Sequence, residues 1–560
     1  MEESKGLKDK IVFWLRDNYW LALILLVGVA IRWYGIYFDY PGGINFVWDE
    51  TGAMMQLTDI VQTKNLFAST VNHYSAFLPI FYAPLLVIRV IYLMLANGLH
   101  SISEFKNFLL IDGMGNVYII IRWASVAVGT ASIYLIYLIF HYIEKNKVAA
   151  YLAALTCSFG IMSVFLSHWG KAHSAMVFFL LLSLYYSLRF EGEKSAKNIY
   201  LSSFFAACSI SVHYLGIVAI IFPLLNVIFN WKATSYKVMV QAVLIGAVTT
   251  VFFYGANYKG VMDFVEYQDK YYYSGTNYTG MSNVSLPVRL TYIITDSWKI
   301  EPFLTSLTVL MLIFAGRILW KNKFNRYLIA GIACFYLIMI TVIVLPSQNR
   351  WLLIFMSLAY PLSIVAFYNL VIKRYGQRIA VGLCMILIVP STVYALKWDY
   401  VISRYTGVEA AQWLEDNTQK GDWLYSFYYN LYLPFSYQGA LWNKENNGLS
   451  YKKIEYILNN QKDFMNRGYN LAYDFDKFRY EELAGKDTRY VIISSGERND
   501  LDKQYQELKK YHRLTLVKSF DPFIGAKGNT TGNITNNPDN WLQIFDFKEA
   551  GPFVYIYKVK

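Results

Sequence analysis

Long apolar stretches alternate with short polar loops over the first 396 residues of this 560-residue chain. A helix of about 17–25 apolar residues is long enough to cross the hydrocarbon core of a bilayer. The first such stretch covers Trp20 to Phe38. Ten more begin near Val117, Val148, Ser174, Ile199, Gly216, Val238, Phe303, Tyr327, Trp351 and Ile379. We therefore predict an all-α polytopic membrane domain, residues 1–396, with about eleven transmembrane helices. Because Ile199 to Asn230 is too long for one helix, we expect it to turn at Tyr214-Leu215-Gly216.

The stretch Phe77–Leu95 is apolar but interrupted by Pro79, Pro84 and Arg89. Loop charges decide its placement, since short cytoplasmic loops are rich in lysine and arginine. The later short loops carry Lys145 and Lys147, Lys194 and Lys197, Lys232 and Lys237, Lys321, Lys323 and Arg326, and Lys373, Arg374 and Arg378. All five lie on the side of the basic N-terminus only if Phe77–Leu95 does not span. We therefore predict an interfacial or re-entrant juxtamembrane helix, with outer loops at residues 39–116 and 255–302.

The composition changes at Lys397, where apolar runs shorten and Asn, Asp, Lys and Tyr become frequent. Val408–Asp416 has helical spacing, and Arg489–Ser494 and Phe553–Tyr557 have the residue types of strands. Residues 397–560 are therefore predicted to form a soluble α/β or α+β domain. Because this domain follows an eleventh span, we expect it to be extracytoplasmic.

The overall composition supports a multi-pass integral membrane protein, with 56% hydrophobic residues and a formal charge of +12. Most basic residues of the membrane half lie in short loops, so the charge reports topology and does not indicate a nucleic-acid partner. The four cysteines, Cys157, Cys208, Cys334 and Cys384, all lie in apolar stretches. No disulfide framework and no cysteine metal site is expected.

The acidic pair Asp49-Glu50 follows the first predicted span directly, in the run Phe46-Val47-Trp48-Asp49-Glu50. A carboxylate at a membrane interface is costly unless it has a function. Asp49 would suit a general base that deprotonates an acceptor hydroxyl or amine. The alternative is a solvated loop pair or a helix N-cap.

Three cationic residues are also predicted near the outer face: Arg350 at the mouth of a span, Lys171 in a short outer loop, and Arg122 one turn inside the second span. The planar guanidinium fork of arginine binds two phosphate oxygens. We predict that these residues bind a phosphate, against the alternative that they extend to lipid headgroups.

Four of the seven histidines are expected on or near the same face: His73, His168, His173 and His213. Clustered histidines can bind zinc, but these spacings match no compact metal motif. Ordinary hydrogen-bonding roles are therefore favoured, and no metal site or cofactor is assigned. A divalent metal is possible but not favoured.

An ordered set of segments resembles the GT-C membrane glycosyltransferases, in particular the group of dolichyl-phosphate-mannose–protein mannosyltransferases and lipid A aminoarabinose transferases. These segments are Trp48-Asp49-Glu50, Asn72-His73-Tyr74 with Phe77–Leu95, the arginine-led Arg122–Thr130, Asn349–Leu353 and Gly551–Tyr557. The resemblance implies a polyprenyl-phosphate-sugar donor, reaction at the outer face, Asp49 as base and Arg350 on the donor phosphate. The chain departs from the family at Lys171-Ala172-His173, where many members carry an aspartate.

Our functional hypothesis is a glycosyltransferase that moves a sugar from a polyprenyl-phosphate donor to a glycan, lipid or protein acceptor, with inversion. Glu50, His73, Tyr74 and His173 are assigned to substrate binding. A transporter or flippase for a lipid-linked glycan is the alternative, although no clear internal repeat supports it. A scaffold protein would leave Asp49 and Arg350 unexplained. An oligosaccharyltransferase would need further metal-binding carboxylates, which the sequence does not show.

Overall fold

The computed structural model describes residues 16–37, 77–109, 114–232, 234–255, 286–341, 349–427, 433–447, 452–465, 467–473, 488–525 and 541–560. Helices dominate the described part of the first 402 residues. They are α1 (Tyr19–Trp33), α2 (Phe77–Ala96), α3 (Ile102–Phe108), α4 (Met114–Glu144), α5 (Lys147–Phe159), α6 (Ile161–Ser167), α7 (Ala172–Glu193), α8 (Ala196–Val212), α9 (Ile221–Phe229), α10 (Tyr236–Gly255), α11 (Leu286–Ile300), α12 (Pro302–Lys321), α13 (Asn325–Thr341), α14 (Leu352–Tyr375) and α15 (Gln377–Ile402). Short 3₁₀ helices precede α9 and α14, at Tyr214–Ile220 and Asn349–Trp351.

Within the described residues, six helices are long and apolar enough to cross a membrane: α4, α7, α10, α12, α14 and α15. The bent pair α5–α6 makes a seventh span if it crosses as one. A helical element begins within about three residues of every predicted span, and the predicted break near Tyr214 is confirmed. The chain is therefore an integral membrane protein, and the figure of eleven spans stays a prediction.

The break between α5 and α6 bends the pair by 55° at Gly160. A Cβ at this position would lie 2.7 Å from the carbonyl oxygen of Thr156, so only glycine fits. The amide of Ile161, released by the break, donates to Glu301 Oε1 at 2.5 Å. Ser391 donates to the other oxygen of Glu301 at 3.0 Å, which ties the break to α15.

The predicted juxtamembrane segment is helical, as α2, and packs through Phe77 against Phe179 of α7 and Phe253 of α10. Part of the predicted outer loop 255–302 is also helical, as α11. Most of the rest of that loop, and residues 39–76 of the other loop, lie outside the described residues. Which side of the membrane these segments occupy stays a prediction.

The C-terminal region contains α16 (Thr406–Asn417), β1 (Trp423–Ser426), α17 (Tyr437–Asn447), α18 (Lys452–Asn459), α19 (Gln461–Phe464), β2 (Asn470–Tyr473), β3 (Thr488–Ser495), α20 (Arg498–Lys509), β4 (Leu514–Phe520) and β5 (Phe553–Val559). The predicted helix and both predicted strands are present. The strands form one mixed sheet in the order β2-β1-β3-β5-β4, with β1 parallel to its neighbours and β5 antiparallel to both of its own.

The sheet domain is attached directly to the end of α15. The amide of Ala550 donates to Val401 O at 3.1 Å and to Arg404 O at 2.9 Å. The ammonium of Lys397 donates to Phe547 O at 2.7 Å. Because these bonds join residues about 150 positions apart, the domain is fixed at the end of the bundle where α7 and α14 begin.

Candidate functional site

The start of α7 brings three predicted site residues together. Lys171 is the N-cap residue of this helix, and His173 lies in its first turn. Arg350, at the start of α14, interacts electrostatically with His173, as do Lys171 and His213. Lys171 and Arg350, which are about 180 positions apart in the sequence, therefore lie near the same histidine.

His173 is the most unusual member of this cluster. Its side chain is 1% exposed, yet neither ring nitrogen has a hydrogen bond partner among the described residues. Its ring lies 4.9 Å from that of His213. Buried polar groups are normally paired, so an unpaired imidazole beside cations marks a position for a ligand or an ordered water.

The helix end itself adds to the positive potential. The first amides of a helix lack intrahelical acceptors, and the helix dipole is positive there. Here the N-cap residue is a lysine that makes no side-chain cap, and the first turn holds no acidic residue. The Lys171 ammonium lies 3.8 Å from the ring centre of Trp169. Such a helix start favours a phosphate or another anion.

His213 takes part in the cluster through a defined tautomer. Its Nδ1 accepts a hydrogen bond from the amide of Leu215 at 3.2 Å, which caps the 3₁₀ helix that follows. The proton of a neutral imidazole is then on Nε2. Its ring also stacks on Tyr214, with centres 4.3 Å apart. The sequence placed His213 on this face but gave it no role.

A second basic cluster lies close by and was missed by the sequence analysis. Arg32, in α1, is fully buried, and its five N–H groups have five acceptors. These acceptors are Ser167 Oγ at 3.2 Å, Gly28 O at 3.1 Å, Ser158 O at 3.0 Å, Cys157 O at 2.8 Å and Ser163 Oγ at 2.7 Å. The sequence feature that could have revealed this cluster is an arginine inside an apolar stretch.

Gly129 of α4 leaves room for this second cluster. A Cβ there would lie 2.2 Å from Ser167 Oγ and 3.3 Å from Arg32 Nε. Through its hydrogen bonds to Cys157, Ser158 and Ser163, Arg32 connects α1 to the break between α5 and α6.

His168 holds the end of α1 in the same region. Its Nδ1 lies 2.9 Å from Val164 O, and its Nε2 lies 2.6 Å from Tyr34 O. A neutral imidazole has one N–H, so the ring donates to one of these two carbonyls. The buried carboxyl group of Asp399 lies 3.4 Å from Nε2.

Arg122 belongs to this second region. It is 3% exposed, and its Nη1 donates to Ile36 O at 3.0 Å. The structure therefore gives Arg122 a structural contact with the segment after α1 that the sequence analysis did not foresee. Its assignment to a phosphate stays a prediction.

Asp49, Glu50, His73 and Tyr74 lie outside the described residues. In the part of the chain that the structure describes, no three His, Cys, Asp or Glu side chains lie close enough to hold a metal ion. The four cysteines are free thiols.

No family model and no curated protein matches the chain. Solved structures that align with it include ArnT from Cupriavidus metallidurans bound to undecaprenyl phosphate, at 10% identity and a TM-score of 0.49, with 96% of this chain and 98% of that chain covered. The oligosaccharyltransferase AglB from Archaeoglobus fulgidus, in complex with an inhibitory peptide and a dolichol-phosphate, aligns at 12% identity and a TM-score of 0.42, covering 91% and 74%.

A third aligned structure, the Pmt1-Pmt2 protein O-mannosyltransferase complex of S. cerevisiae, has 15% identity and a TM-score of 0.32, and 46% of this chain and 34% of that chain are covered. Likeness at this level concerns architecture and assigns neither a substrate nor a catalytic residue.

Proposed function

We propose that the chain is a membrane glycosyltransferase that takes its sugar from a polyprenyl-phosphate donor. The observation that supports this most directly is the unpaired, buried imidazole of His173 at the start of α7, beside Lys171 and Arg350. A phosphate would supply acceptors for these groups and for the first amides of the helix. The apolar helices provide a surface for the polyprenyl tail.

The proposed chemistry is a single displacement at the anomeric carbon. The acceptor hydroxyl or amine forms the new bond while the bond from that carbon to the phosphate oxygen breaks. The leaving phosphate takes the electron pair and is stabilised by Arg350 and Lys171. Asp49 takes the proton from the acceptor, and the anomeric centre is inverted.

We propose that Asp49 lies near the start of α7, and the end of α1 supports this. The carbonyls of Tyr34 and Ile36 are bound by His168 and Arg122, so the chain leaves α1 close to the start of α7. The next residues lead to Asp49 and Glu50. We propose that Glu50, His73 and Tyr74 bind the sugar or the acceptor, and that this face and the sheet domain are extracytoplasmic.

The first test is donor binding, measured as the affinity of the purified chain for undecaprenyl phosphate. Arg350→Ala should weaken binding about tenfold or more, because it removes one charged contact with phosphate. Arg378→Ala is the matched control, since Arg378 is exposed in the first turn of α15, at the opposite end from the site. Unchanged affinity in Arg350→Ala would remove this cluster as the phosphate site.

The second test is turnover with radiolabelled polyprenyl-phosphate sugars. Asp49→Asn should abolish transfer while donor affinity is retained, because the amide cannot accept the proton. Full turnover in this variant would exclude Asp49 as the base.

A further inference from the structure

Helix α12 has one continuous lipid-facing side. Its exposed large apolar side chains recur at helical spacing: Phe303, Leu310, Ile313, Phe314 and Ile318. The opposite side is buried against the bundle. Since α12 is one of the helices long enough to cross a membrane, this stripe faces the acyl chains, and Phe303 marks its end beside the sheet domain.

A turn of the C-terminal domain lies directly on that end. The amide of Trp541 donates to Lys299 O, in the last turn of α11, at 3.0 Å. The ring of Trp541 makes an edge contact with Phe303, with centres 5.8 Å apart. The turn 541–546 therefore lies beside the end of a helix that is long enough to span a membrane. Tryptophan is enriched at the ends of such spans, and Trp298 of α11 is exposed nearby in the chain.

Some side chains of this turn are buried and others are exposed. Ile544 and Phe547 are buried in the hydrophobic core, and their side chains are 1% and 0% exposed. Leu542 and Phe545 face outward and are 58% and 40% exposed. Ile524, also exposed, is joined to the same turn by a 2.8 Å bond from its amide to Asp546 O. We call Leu542, Phe545 and Ile524 the apolar ledge.

We propose that the apolar ledge inserts into the membrane leaflet on the side of the C-terminal domain and docks the domain on lipid. Trp541, at the start of the turn, contacts Phe303 at the end of the apolar side of α12, so the acyl region beside α12 is the nearest apolar environment for the ledge. The partner is the phospholipid surface itself.

The test uses the full chain in vesicles of phosphatidylcholine and phosphatidylglycerol, with a photo-crosslinking phenylalanine analogue at position 542 or 545. Lipid adducts, detected by mass, should form at both positions with yields comparable to those at Ile313, on the stripe of α12. Leu516 of the edge strand β4 is the control, since it is 49% exposed but pairs with Tyr557, toward the strand ends away from Ala550. Adduct yields no higher than at Leu516, or crosslinks to a second copy of the chain, would overturn the proposal.

A second measurement avoids the bulky probe. The double variant Leu542→Gln/Phe545→Gln should show severalfold faster hydrogen exchange at the amides of residues 541–547 in vesicles, because its turn no longer partitions into the leaflet. Leu516→Gln should leave these amides unchanged. Unaltered exchange in the double variant, with the helices still protected, would show that lipid does not hold the turn.

Discussion

His168 and His173 are five positions apart at the same end of the bundle, and both are buried. Both nitrogens of His168 face carbonyl acceptors, whereas neither nitrogen of His173 has a partner among the described residues. The same residue type therefore serves two purposes within one loop and the helix that follows it. We interpret the paired ring of His168 as a contact that holds helix ends together, and the unpaired ring of His173 as a contact for a ligand.

The cations near each histidine have different surroundings. All five N–H groups of Arg32 donate hydrogen bonds to protein acceptors, so none is available to bind a substrate. Arg350 and Lys171 surround His173, whose nitrogens are unpaired. The comparison predicts that substitutions in the first group change stability and that those in the second change binding.

The largest effect is expected for Arg32→Ala. The substitution removes a fully buried side chain and leaves five acceptors unpaired, at a cost of about 3–5 kcal/mol. We expect little folded protein in detergent or a large fall in the apparent unfolding temperature, measured by thermal scanning. Arg378→Ala, at an exposed position, should change neither. A stable Arg32→Ala protein would contradict the structural role of Arg32 and its five acceptors.

The second prediction separates the two histidines. His168→Ala should destabilise the chain by about 2 kcal/mol, because the buried ring and its contacts with the carbonyls of Val164 and Tyr34 are lost. His173→Ala should cost less stability, since no hydrogen bond is lost, but should weaken undecaprenyl phosphate binding about tenfold.

The measurement for the histidine pair is thermal unfolding and lipid-phosphate affinity on both variants. If His168→Ala lost affinity without losing stability, or His173→Ala the reverse, the assignment of the two clusters would be wrong.

The sequence was a good guide to the helices and a partial guide to the site. Apolar length located the helical elements, because bilayer thickness constrains each stretch locally. Lys171, His173 and Arg350 were singled out as polar residues near predicted helix ends, and they do cluster. Arg32 and Asp399 were missed, since a buried charge inside an apolar run is recognisable only when its partners on other helices are known. Arg122 shows the converse, because its contact with Ile36 depends on how α1 and α4 pack.

A smaller effect is expected for Ser163→Ala. The hydroxyl of Ser163 accepts from Arg32 Nη2 at 2.7 Å, so its removal leaves one N–H of a saturated guanidinium unpaired. We expect a loss of about 1–2 kcal/mol, a fraction of the Arg32→Ala effect, with donor affinity unchanged. Ser132→Ala is the control, since its hydroxyl bonds only to the carbonyl one turn earlier on its own helix. Equal losses of unfolding free energy in the two serine variants would show that the hydrogen bond from Arg32 to Ser163 does not stabilise the chain.

Glu549 extends the comparison to a buried group whose hydrogen bond with a second carboxyl group requires a proton. It is 4% exposed, and its pKa is raised to about 7 by burial and by a hydrogen bond with the Glu409 carboxyl, against the opposing effect of Lys548. Since the folded pKa lies above the unfolded value near 4.5, the folded state binds the proton more tightly. The stability contributed by this pair is therefore complete below about pH 4.5 and is lost as the pH rises through about 7.

We expect the sheet domain to unfold a few degrees lower at pH 8 than at pH 5.5, measured by hydrogen exchange or thermal scanning of the full chain. Glu549→Gln should remove most of this difference, because an amide can donate to Glu409 at either pH without binding a proton. Donor affinity should not follow the Glu549 substitution, since the pair lies between α16 and the segment before β5, not at the start of α7. If the pH dependence of unfolding were the same in Glu549→Gln as in the unmodified chain, Glu549 would not be the group whose protonation is linked to folding. The hydrogen bond between Glu549 and Glu409 would then not contribute to stability in the way proposed.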